Sequence, residues 1–74
     1  MFYGLRELEL AERHVAEGAA RVLAQRLRVH DRRCQGRPSR MGERLLETME
    51  RSHARAINHL EKIAAIVEAQ RKPH

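Results

Sequence analysis

Leu8, Val15, Val22 and Val29 recur every seven residues along the first half of the chain. Leu5, Ala16, Ala19, Leu23 and Leu27 widen that row into a broad apolar stripe. Glu7, Glu9, Arg13, Glu17, Arg21 and Arg28 fall between them and suit a solvated face. This is helical periodicity, and it predicts a helix over about residues 5–32. The second half repeats the pattern. Leu46, Met49, Ala56, Leu60, Ile63 and Val67 form a seam, with Leu45, Ile57, Ala64 and Ile66 beside it. A second helix is expected over about residues 40–71, stopped by Pro73.

The stretch between them, about residues 33–39, has no apolar periodicity. Gly36 suits the left-handed backbone on which many helices end. Pro38 disfavours helical geometry at Arg37. Ser39 is placed to cap the second helix, although Gly42 stands where a capping box needs Glu or Gln. Each helix is roughly 45 Å long at 1.5 Å per residue. A turn this short makes the two helices antiparallel neighbours. The expected fold is therefore an all-α, antiparallel two-helix hairpin, with residues 1–74 as a single domain.

Composition sharpens this picture. Phe2 and Tyr3 are the only aromatic residues, so the core has to be aliphatic. About a dozen large aliphatic side chains, at roughly 2 kcal/mol each when fully buried, are set against the ordering of some 60 residues. Two helices side by side would bury those side chains incompletely. Two hairpins packed face to face would close the core, so a homodimeric four-helix bundle is expected. Leu23, Leu27, Leu45 and Ile66, which lie off the central seam, point the same way.

Other classes are set aside. Charges recur every few residues from Arg6 onward, so no window resembles a signal-peptide core or a membrane span of about 20 apolar residues. One cysteine, Cys34, leaves no intramolecular disulfide framework and no cysteine-based zinc site. A cytoplasmic location is expected. No Ser/His/Asp or Cys/His nucleophile arrangement and no glycine-rich phosphate loop is evident, so no enzymatic activity and no cofactor are expected. The first expectation for function is self-association, or binding to another helical protein.

Two alternatives rest on particular residues. His53 falls on the seam between Met49 and Ala56, with Glu50 one turn before it. In an antiparallel hairpin it should face Gly18, Ala19 and Ala20, whose small size leaves room for an imidazole. Glu50-x-x-His53 has the spacing that carboxylate-bridged di-iron bundles use. The nearest carboxylate on the first helix is Glu17, with His14 one turn away. The arrangement resembles the encapsulated ferritin-like proteins, two-helix chains that build an iron site across a dimer. The resemblance implies a metal site, with iron or zinc, at Glu17, Glu50 and His53. The plainer reading is a seam histidine hydrogen-bonded within the bundle.

The other alternative concerns the turn. The chain carries a net charge of +5, and Arg32, Arg33, Arg37 and Arg40 cluster in the turn, where they could grip the phosphates of a nucleic acid or another anion. No aromatic side chain stands among them to stack on a base. Basic residues at the end of the first helix also suit its dipole, so a solvated tip accounts for them as well. Cys34 lies in the same turn beside Arg32 and Arg33, and an inert loop cysteine is the plainer reading.

From about Arg13 to Ile63 the chain also resembles a group of small bacterial helical proteins without an assigned function. The matching pieces are His14-Val15-Ala16-Glu17-Gly18, Gln25, Leu45-Leu46, Glu50 and His59-Leu60. Where that group often starts its second helix with Asp-Thr, this chain has Arg37-Pro38-Ser39-Arg40. The resemblance implies a helical hairpin and transfers no activity.

Overall fold

The structure, a computed structural model, describes residues 3–71. Helix α1 spans Leu5–Cys34 and α2 spans Arg40–Arg71. They pack against each other along their lengths as an antiparallel hairpin, and the described residues contain no strand. The molecule is a rod of 60 × 15 × 14 Å. Pro73, the expected stop of the second helix, lies outside the described residues.

The ends of the helices are set by local chemistry. At the start of α1 the carboxylate of Glu7 accepts the Gly4 N–H at 2.9 Å. That satisfies one of the amides a helix start leaves without a partner. At the other end Gly36 has φ of 72°. The Gly36 N–H donates to the Arg33 carbonyl at 3.0 Å, and the Arg37 N–H to the Arg32 carbonyl at 2.9 Å. This pair of reversed bonds is a Schellman closure, and it needs a residue at ease with positive φ. Because the closure is built on Gly36, α1 runs to Cys34, past the expected end near Arg32. Ser39 then caps α2, its Oγ accepting the Gly42 N–H at 3.0 Å.

Inward-facing positions alternate three and four apart. On α1 they are Leu8, Ala11, Val15, Gly18, Val22, Gln25 and Val29; on α2 they are Leu46, Met49, His53, Ala56, Leu60, Ile63 and Val67. The expected α2 seam, His53 included, is thus the observed one. The α1 seam differs from the expected stripe. Leu8, Val15, Val22 and Val29 do face inward, but Leu5, Leu23 and Leu27 are more than half exposed. Small or polar residues, Ala11, Gly18 and Gln25, fill the alternate inward places.

Among the described residues four apolar side chains are buried, Val22, Val29, Ile63 and Val67. Gln25 joins them at 5% exposure, and its side-chain amide donates to the Gly42 carbonyl at 3.0 Å. A buried amide without such a partner would cost about 1–3 kcal/mol.

Candidate functional site

The hairpin has two edges of different character. On one edge ion pairs bridge the helices. Arg26 donates to Glu50 at 3.2 Å, and Arg33 holds Glu43 through Nε at 2.8 Å and through Nη2. Both pairs are well exposed, so each contributes only about 0–1 kcal/mol. On the other edge are the aromatic contact between Tyr3 and His59 and a cavity of about 100 Å³. Gly18, Val22, Met49 and Ala56 form the inner wall of that cavity, and His14, Arg21 and Ser52 form its rim.

His53 fills the seam beside this cavity. Its ring packs on Gly18: a Cβ built at Gly18 would lie 2.8 Å from the imidazole Nδ1. This Nδ1 is buried and, among the described residues, has no hydrogen-bond partner. Gly18 does face His53 as the sequence suggests. Ala19 and Ala20 do not, since both are exposed beyond the seam. With about 100° per residue, a helix turns only one of three consecutive residues toward its neighbour.

The residues of the expected metal site do not gather in one chain. Glu17 pairs with Arg21 at 3.7 Å along the outside of α1, toward the cavity edge. Glu50 pairs with Arg26 on the opposite edge. His53 sits between them in the seam. Among the described residues no group of three or more His, Cys, Asp or Glu side chains could hold a metal ion. The ferritin-like resemblance implies a site shared between two chains; within one chain Glu17, Glu50 and His53 do not meet.

At the turn, Arg32, Arg33, Arg37 and Arg40 are all exposed, but they are not equivalent. Arg33 is engaged by Glu43, and Arg32 Nε donates to the Arg37 carbonyl at 3.0 Å, closing the turn. Arg37 and Arg40 form no ion pair among the described residues. Exposed Cys34 Sγ lies 3.4 Å from His30 Nε2, one helical turn earlier.

The third feature is an exposed apolar surface: Ala16, Ala19, Leu23 and Leu27, which the sequence pattern places in the broad inner stripe, face outward in the structure. Taking about 100° per residue, Ala16, Ala19, Ala20, Leu23 and Leu27 occupy a single arc of α1 roughly 100° wide. That arc lies on the ion-pair edge. All five side chains are exposed, Leu23 at 57% and Leu27 at 55%. Ile57, two turns after Glu50 on the same edge, is half-buried and extends the surface onto α2.

The area of the whole molecule frames this surface. The chain exposes 6237 Å². A compact protein of 8.6 kDa exposes about 4,700 Å², so the rod carries an excess of about 1,500 Å². Standard protein interfaces cover about 800 Å² per partner. No described helix is long and apolar enough to cross a membrane. Compared with known protein families, curated proteins and solved structures, the chain matches none.

Proposed function

We propose that the protein acts by helix-mediated self-association, two hairpins packing through the apolar stripe that α1 leaves exposed. The observation that carries this reading is the mismatch between area and core. The hairpin exposes about 1,500 Å² more than a compact chain of its mass, and among the described residues four apolar side chains are buried. A thin seam leaves little to offset the conformational entropy of ordering two helices of 30 and 32 residues. Covering the outer stripe supplies the missing burial.

Size-exclusion chromatography with light scattering tests this reading. A mass twice the chain's 8.6 kDa is the expected result at about 100 µM. A cooperatively folded species with the mass of one chain at that concentration overturns it.

A further inference from the structure

Accepting self-association as proposed above, the geometry points to a second copy docked antiparallel on the α1 face formed by Ala16, Ala20, Leu23 and Leu27. The shape of this face and the charge along α1 as a whole select both the occupant and its direction.

The first is shape. Along the face two alanines are followed by two leucines. Turn a second α1 end for end about a two-fold axis passing between Arg21 and Val22. Ala16 then meets the partner copy's Leu27, and Ala20 meets its Leu23. Each leucine enters the space that an alanine leaves, and the small residues let the helix axes approach at the close end of the usual range of about 8–10 Å. A two-fold contact is self-complementary, so each knob-and-hollow pair occurs twice. A parallel pairing sets alanine on alanine and leucine on leucine, leaving a gap beside a bulge.

The second feature is charge. The first part of α1 carries Glu7, Glu9, Glu12 and Glu17 against Arg6 and Arg13, a net −2. The remainder carries Arg21, Arg26, Arg28, Arg32 and Arg33 against Asp31, a net +4, of which Glu50 and Glu43 of α2 offset Arg26 and Arg33 and leave +2. Antiparallel docking lays the acidic part of each copy along the basic part of the other. Parallel docking sets like on like. Complementary charge of this kind selects register and partner more than it adds affinity.

The opposite edge offers no comparable surface. Leu10, Leu45 and Met41 are exposed there, but Met41 and Leu45 lie near the turn and His14, Arg21, Ser52 and His59 part them from Leu10.

Directed disulfide formation tests the arrangement. In a Cys34→Ser background, Ala16→Cys and Leu27→Cys are introduced together. The two positions are eleven residues apart on one helix, too far for a bond within a chain. The antiparallel dimer yields a covalent dimer whose peptide map links residue 16 to residue 27. Links of 16 to 16 and 27 to 27 overturn the direction. No intermolecular disulfide in a protein whose native form has dimer mass overturns this face while leaving self-association standing. Monomer mass for the native chain overturns both. As a second readout without new cysteines, Leu23→Glu should weaken association by at least 100-fold, and Leu10→Glu by less than threefold. Equal effects of the two would place the interface elsewhere.

Discussion

The imidazole of His53 lies where the side chain of residue 18 would otherwise be, with Nδ1 2.8 Å from the position a Gly18 Cβ would take. Glycine inside a helix costs roughly 0.5–1 kcal/mol relative to alanine. Here it makes room for a ring on the neighbouring helix. Gly18→Ala should therefore destabilise the protein by about 1–2 kcal/mol despite its better helix propensity, since overpacking a core costs about 1–3 kcal/mol. In a His53→Ala background the same change should stabilise by about 0.5–1 kcal/mol, as propensity alone dictates. A double-mutant cycle on urea midpoints reads the coupling; additive effects would contradict the contact.

Gln25 should matter more than an ordinary amide at the surface. Gln25→Ala removes the bond to the Gly42 carbonyl and leaves a gap, and a loss of about 2 kcal/mol is expected. Gln25→Glu sets a carboxylate against that carbonyl. Burial and the carbonyl both favour the neutral acid, so the new group's folded pKa would be raised above the unfolded value of about 4.3. Stability relative to native protein would then be greatest below that unfolded value and fall as pH rises through the folded one. Urea unfolding of both proteins between pH 4 and 8 checks the slope, and parallel curves would refute it.

The turn gives a third test. At φ of 72°, Gly36 holds a backbone that a Cβ penalises by about 1–2 kcal/mol. Gly36→Ala should lower the thermal midpoint accordingly, and Gly36→Asn should do so by less, since asparagine tolerates the left-handed region. Ser39→Ala should cost about 1 kcal/mol through the lost bond to the Gly42 N–H. Equal midpoints for the alanine and asparagine variants at 36 would show that the positive φ is not what matters.

A fourth test concerns linkage. If folding and pairing are coupled, the thermal midpoint rises with protein concentration. Calorimetry at about 10 µM and about 1 mM should show it. A concentration-independent midpoint, with native protein at the mass of one chain, would dissociate folding from assembly.

The sequence made the helices legible where their boundaries have chemical causes. Gly36 and Ser39 could be read directly because left-handed backbone and N-terminal capping select few residue types. The α2 seam was legible because its inward places carry large aliphatic residues. The α1 seam was only half so. Its inward alanine, glycine and glutamine carry no hydrophobic signal, and the outward leucines carry a strong one. Apolar weight alone therefore draws the inner face too wide. Which leucines face outward depends on the partner helix, through pairs such as Gly18 with His53 and Gln25 with Gly42. For the same reason Glu50 and His53 share a spacing without sharing a direction, since Arg26 draws the carboxylate to the edge.

The buried amide of Gln25 has a consequence for how the helices find their alignment. Heptad-spaced rows are nearly self-similar, so a hairpin slipped by two turns would still bury aliphatic side chains. It would also carry Gln25 away from the one backbone oxygen that receives it and leave the amide among hydrocarbon. A single polar group thus works as a locating pin, fixing the phase of two otherwise interchangeable ladders, and a leucine there would trade that phase for grip.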